Sequence, residues 1–225
     1  MPDDAIPIET LDVSGRRVLD VSGLPTLAEG PRSPVWWGNT LLMFIETTTL
    51  VLLVVSYFYL RRNFDGWPPP QPNRLTPLFE HANWPDLLYP TIELVLMLLS
   101  IIPMHFTDRA ALRQNARGVN IGLSIMFVIA AAMIAMRFLQ MQPTHLKFRW
   151  DENAYGSIIW VILGTHLTYL VAAAAEFFIM AAWVMRHGID FKHGLDVELA
   201  GIYWYWVVAT WVVCYMVVYF GPRWL

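Results

Sequence analysis

The sequence predicts a bundle of five transmembrane helices behind a short aqueous tail, an all-α membrane protein. Three observations point there. Of its 225 residues, 56% are hydrophobic and only 15% charged, where soluble domains carry about 25% charged residues. The charges crowd into short segments between apolar runs, and five of those runs are long enough to cross a bilayer, which takes roughly 20 apolar residues.

The tail comes first. Residues 1–34 hold Asp3, Asp4, Glu9, Asp12, Asp20 and Glu29 against Arg16, Arg17 and Arg32, with no apolar stretch of signal-peptide length. Leu24-Pro25-Thr26 reads as extended chain. The membrane domain, residues 35–225, places its spans at about 35–60, 87–106, 119–140, 156–185 and 200–220. The first stops at Arg61-Arg62, cationic side chains at headgroup level. The second contains Pro90, Glu93 and Pro103 and has the weakest apolar character. Alanines crowd the third and fourth spans (Ala130 to Ala132, Ala135, Ala172 to Ala175), which permits close helix contact. The loop 61–86 carries Pro68, Pro69, Pro70, Pro72, Pro77 and Pro85 with Trp67 and Trp84, so it should be semi-rigid and lie along the membrane surface.

Lys and Arg counts orient the bundle. The tail, the loop after the second span and the loop after the fourth hold eight (Arg16, Arg17, Arg32, Arg109, Arg113, Arg117, Arg186, Lys192), and the opposite side six (Arg61, Arg62, Arg74, Lys147, Arg149, Arg223). This bias places the N-terminus in the cytoplasm and the C-terminus outside. No basic stripe suits nucleic acid. The single cysteine, Cys214, excludes an internal disulfide or a thiolate metal site.

Ionisable residues inside the spans are few: Glu46, Glu93, Arg137, His166 and Glu176. A charge at mid-bilayer costs about 2.5–3.5 kcal/mol, so each is a candidate. Glu46 sits near the middle of the first span. At helical spacing Asn39, Glu46, Thr49 and Ser56 fall within about 100° of one another, a polar stripe that should face a neighbouring helix or a wet cavity. Such a carboxyl could exchange protons; equally it could be a protonated, inert interhelical hydrogen bond. His166, Tyr169 and Glu176 share a face of the fourth span, but His166 and Glu176 are about 15 Å apart along the axis, too far for one metal. His166 and Glu176 therefore read as interhelical polar contacts. Arg137 is expected to snorkel from a span end, and Glu93 to lie shallow. The six histidines are scattered, with no phosphate loop, no HExxH and no nucleophilic triad. No catalytic or metal site is expected within this chain.

Three strings, in order and in register, resemble subunit III of the haem-copper oxidases, the cytochrome c oxidase family. They are FIETTTLVLLVVSYFYLRRNFDGWPP at 44–69, YGSIIWVILGTHL at 155–167 and ELAGIYWYWVVATW at 198–211. Glu46, Trp67, Pro68 and Pro69 match the first family string. Tyr155, Gly156, Ser157, Gly164 and His166 match the second; Glu198, Tyr203, Trp204 and Trp211 match the third. The chain departs from the pattern at Tyr205, where the family usually has His, at Val208, where it has Asp, and at Tyr169, in place of a second His. The two extra N-terminal spans of the mitochondrial form are missing, as in many bacterial members.

The resemblance implies a non-catalytic subunit of a bacterial respiratory oxidase that reduces oxygen to water and pumps protons. It would sit in the inner membrane beside the catalytic subunit I and subunit II, which would hold the haem and copper. It would bind phospholipid in a V-shaped cleft and support proton uptake and durability, with Glu46 in or near that cleft. His166, Glu198 and Tyr205 would be interhelical contacts, and Trp67, Pro68 and Pro69 an outer-loop brace. Two rivals stand beside it: an accessory subunit of a quinol oxidase or nitric oxide reductase, and a small proton-coupled transporter using Glu46, Glu93 and Glu176. No internal repeat supports the transporter.

Overall fold

The computed structural model describes residues 9–11, 17–19, 33–69 and 84–224. Two units are distinguished, Met1–Trp37 and Gly38–Leu225. The first unit contains a short antiparallel ladder of β1 (Glu9–Leu11) and β2 (Arg17–Leu19), paired Glu9 to Leu19, Thr10 to Val18 and Leu11 to Arg17. The tail's composition gave no sign of this ladder, since three residues are too few to show an alternation. Leu24-Pro25-Thr26 and the prolines Pro70, Pro72 and Pro77 lie outside the described residues.

The second unit is helical, and among the described residues five helices are long and apolar enough to cross a membrane. Helix α1 (Pro34–Arg61) starts on a proline, whose missing N–H is one that no helix satisfies at that position. Helix α2 (Leu88–Leu112) passes through Pro103 without ending; the carbonyl of Pro103 accepts the Thr107 hydroxyl at 2.8 Å. Helix α3 (Ala116–Gln140) is capped by Asn115, which accepts from the amide of Gly118. After a single turn, α4 (Pro143–Leu146), helix α5 (Ala154–His187) opens on Asn153, which accepts from Gly156 N at 2.8 Å. Gly188 ends it at φ 76°, a left-handed conformation that favours glycine, and Asp190 caps α6 (Phe191–Tyr215) two residues later. The chain closes in a five-residue π-turn, Met216–Phe220, and a last turn α7 (Gly221–Trp224).

The sequence-predicted spans find their helices, but the ends differ. The second runs to Leu112 instead of residue 106, and the last begins at Phe191 instead of residue 200. Counting apolar residues locates the hydrocarbon, whereas capping locates the helix. Helix α5 has 34 residues, a length of about 51 Å against a hydrocarbon layer of about 30 Å.

Four helices pack closely, α3 on α2 and α5, and α6 on α2 and α5. In lipid, apolar burial does not itself drive helices together, so close fit and polar links must. Helix α3 shows how. Its buried stripe is Val119, Leu123, Met126, Ala130, Met133, Arg137 and Gln140, alternating steps of four and three, the spacing of left-handed helix packing. Helix α1 approaches less closely. Of its residues only Leu50 and Tyr57 are fully buried, and long side chains reach it from α5 and α6.

A candidate polar site between helices

Glu46 lies on the α1 face that looks toward α5 and α6. Its Oε1 accepts the hydroxyl of Tyr203 at 3.2 Å, and its main-chain carbonyl accepts that of Tyr169 at 2.9 Å. Asn39 Nδ2 donates to the carbonyl of Leu199 at 3.1 Å, and Trp206 Nε1 donates to Thr47 Oγ1 at 2.9 Å. Helix α1 is thus tied to α6 at two levels, Asn39 and Glu46–Thr47, two turns apart. Thr49 and Ser56 take no part: both are exposed, and their hydroxyls donate back to Ile45 and Leu52 of their own helix. Thr47 instead meets α6, through the reach of a tryptophan that no helical-wheel angle anticipates. Glu46 Oε2 is buried and has no hydrogen-bond partner among the described residues.

A second cluster is wholly buried. Arg137 Nη2 donates to Glu93 Oε1 at 2.9 Å and to His166 Nδ1 at 3.3 Å, and Gln140 Nε2 donates to Glu93 Oε2. The guanidinium carbon lies 3.6 Å from the Trp211 ring centroid, a cation–π arrangement. Tyr219 donates to Gln140 Oε1 at 3.4 Å. The expectations of a snorkelling Arg137 and a shallow Glu93 are therefore corrected. Both side chains are 0% exposed, because Glu93 enters from α2 at the level where Arg137 enters from α3, and each neutralises the other. The signal was present in sequence: Arg137 and Gln140 continue the stripe of Val119 to Met133 at the same spacing.

His166 sits between these clusters. An arginine can only donate, so His166 Nδ1 accepts, and Nε2 carries the hydrogen and donates to the carbonyl of Val207 at 3.1 Å. Both nitrogens are engaged, which leaves neither to ligate a metal.

The remaining candidates lie apart. Tyr205 donates to Asp108 Oδ2 at 2.6 Å, joining α6 to α2. Asp108 was not singled out from sequence, because it falls just past the predicted end of the second span. Glu176 is half-buried on α5, within electrostatic reach of Asp196 and Tyr203 of α6, and Glu198 is exposed. Trp67 donates from Nε1 to Tyr57 OH at 2.8 Å, and its ring stands edge-on to Tyr57 and Tyr155 at 5.4 and 5.0 Å. Pro68 and Pro69 are buried beside it. In the 155–157 string, Gly156 has no room for a Cβ, which would run into the main-chain carbonyl of Arg149, and Ser157 Oγ donates to the carbonyl of Trp150 at 2.7 Å.

Outside the spans, Asp190 accepts both the amide and the ring nitrogen of His193, at 2.8 and 2.6 Å. These bonds hold its carboxyl below the ordinary aspartate range.

Comparison with known proteins adds the following. The family model described as cytochrome c oxidase subunit III matches residues 37–223. Cytochrome c oxidase subunit 3 of Synechocystis sp. is 28% identical over 188 residues, covering 81% of this chain and 74% of the relative. The protein of the same name from Thermostichus vulcanus is 23% identical, with 81% of this chain and 86% of the relative covered. That from Cyanidium caldarium is 22% identical, with coverage of 81% and 66%.

Proposed function

Because this chain belongs to the cytochrome c oxidase subunit III family, we propose that it is the non-catalytic third subunit of a bacterial respiratory oxidase, bound to the haem-copper subunit I and to subunit II. The observation that carries this reading is the extent of the family match, which takes in nearly all of the five apolar helices. The quinol-oxidase, nitric oxide reductase and transporter readings gain nothing from the comparisons, whose relatives carry the cytochrome c oxidase name.

In this reading haem and copper belong to the partner subunits. The engaged nitrogens of His166, the buried histidine among the described residues, support that assignment. The chain sits in the inner membrane with the α5–α6 turn on the cytoplasmic side and α7 outside, in keeping with the balance of Lys and Arg. Phospholipid binds along α1, the helix least enclosed by the others, its tails against the exposed Phe44, Ile45 and Leu52. Glu46, the mid-span carboxyl on that helix, tunes proton uptake and the durability of the catalytic subunit.

The test is gentle purification of the chain from its native membrane, followed by a reduced-minus-oxidised haem spectrum and mass spectrometry. A stoichiometric haem-copper partner that consumes oxygen is expected. A colourless homo-oligomer overturns the assignment. Glu46→Gln in that complex should change pump stoichiometry or the decay of activity with turnover; an indistinguishable variant makes Glu46 a structural hydrogen bond only.

A further inference from the structure

A mid-span carboxyl that exchanges a proton needs a way for the proton to arrive, and the groove between α5 and α6 supplies one. Ring contacts fix the register of these antiparallel helices: Tyr169 on Trp206 at 5.0 Å, Phe177 on Trp204 at 5.5 Å and Trp183 on His193 at 5.1 Å. Glu176, next to Phe177, therefore lies at the level of Tyr203. Asp196 lies two turns earlier on the same face of α6, about 10 Å nearer the α5–α6 turn. Glu176 is within electrostatic reach of both. Next to Asp196 the groove widens into a cavity of about 220 Å³, walled by Ile179, Met180, Trp183, Val184 and His193. That volume holds several waters, and Asp196 and His193 give them polar partners.

We propose that Asp196, Glu176 and Tyr203 form a one-ended proton route from this cavity to Glu46. A hydrated proton in the cavity is taken by the Asp196 carboxylate and passes through the cavity water, which reaches Ile179 and Met180 one turn from Glu176, to the Glu176 carboxylate. The Tyr203 phenol gives its hydrogen along the existing 3.2 Å bond to Glu46 Oε1 and is reprotonated from Glu176. Each group ends with the number of protons it began with, except Glu46, which gains one; release runs the same way in reverse. Half a turn of the carboxyl then carries that hydrogen to the unpartnered position now held by Oε2 and leaves the other oxygen to accept from the reprotonated Tyr203.

The route stops at Glu46. Tyr169, the next hydroxyl on α5, is committed to the main-chain carbonyl of Glu46. Beyond it on the packed face of α1 come Leu50 and Leu53, and His166 is held by Arg137 and Val207. A dead end of this kind exchanges protons with one side of the membrane and does not leak them across it.

The inference rests on the reading of Glu46 as an exchanging carboxyl. Its test uses the purified oxidase complex in lipid nanodiscs and the infrared band of protonated Glu46, identified by its loss in Glu46→Gln. After transfer to D₂O, Glu176→Gln, Asp196→Asn and Tyr203→Phe should each slow the isotope shift of that band by about a hundredfold, the lower end of what a positioned acid or base contributes to proton transfer. Val184→Trp, which fills the cavity and keeps every carboxyl, should slow it as well and serves where a carboxyl variant fails to assemble. Wild-type exchange rates in the variants, or no carboxyl band assignable to Glu46, overturn the route. Slowed exchange together with unchanged turnover in Glu46→Gln leaves the route standing and removes the functional role proposed for Glu46.

Discussion

Arg137 and Glu93, 44 positions apart in the chain, meet at 2.9 Å with neither side chain exposed. Removing one partner of such a pair leaves a bare charge in a medium that cannot solvate it. Glu93→Gln and Arg137→Met should therefore each lower stability by about 3–5 kcal/mol, and the double variant should lie nearer wild type than either. Thermal melts in detergent, read as a double-mutant cycle, test this. Additive losses would show that the two charges do not depend on each other.

Tyr205 and Asp108 form the corresponding link between α6 and α2. Tyr205→Phe keeps the ring and removes the donor from a half-buried carboxylate, a loss of about 1–3 kcal/mol. Tyr205→His, the residue usual in the family, keeps an N–H and should fall between Phe and wild type in the same melt. A His variant no better than Phe would mean that the position selects the reach of tyrosine.

Two glycines of α5 should respond in opposite directions. A Cβ at Gly156 meets the Arg149 carbonyl, main-chain atoms that cannot swing aside, so Gly156→Ala should cost about 1–3 kcal/mol. A Cβ at Gly164 meets nothing within 4 Å, so Gly164→Ala should be neutral or stabilising by up to about 1 kcal/mol. Equal melting shifts would contradict the packing described for the start of α5.

Asp190 sets a pH dependence at the start of α6. Its carboxyl is held below the ordinary value by the amide and ring of His193, so its contribution is complete above the unfolded aspartate pKa of about 3.9. That contribution is lost as pH falls through the lower folded value. Amide exchange over residues 191–196, taken relative to the unstructured rate at each pH, should accelerate below about pH 4. Asp190→Asn keeps an acceptor oxygen for the cap and should abolish the pH dependence; acceleration that persists in it would point to another group.

The helices were legible in the sequence because a span is a property of composition, and 20 apolar residues announce it without reference to the rest of the chain. The site was legible only in part. Glu46 could be placed near mid-bilayer from its position in the first span, and the polar stripe asked for a neighbouring helix or a wet cavity; Asn39 and Glu46 bond to α6, while Thr49 and Ser56 do not. Its partners could not be read, because Tyr203 lies 157 residues away and meets Glu46 only through the packing of α1 over α6. Arg137 was misread for a related reason: three residues from a helix end is shallow for an isolated helix, yet it is interior once α2, α5 and α6 surround it. The early start of α6 was hidden because Asp190, Lys192, His193 and Asp196 look like loop until the cap at Asp190 is recognised.

The π-turn at Met216–Phe220 fixes the length of the last span from both sides. It accommodates one residue more than an α-helix would use over the same path, and beyond it Arg223 Nη2 donates to the carbonyl of Pro85 at 2.6 Å while Tyr219 reaches Gln140. Deleting Val217 would let the turn close into regular helix over the same path and leave Arg223 within reach of Pro85, whereas a second deletion, with no surplus residue to absorb it, would rotate everything downstream by about 100° and draw it back about 1.5 Å. Both attachments would be lost together. Inserting a residue would rotate them the other way. Length variation in these five codons is therefore expected to be confined to the loss of one residue, because any further change in length moves Arg223 away from Pro85.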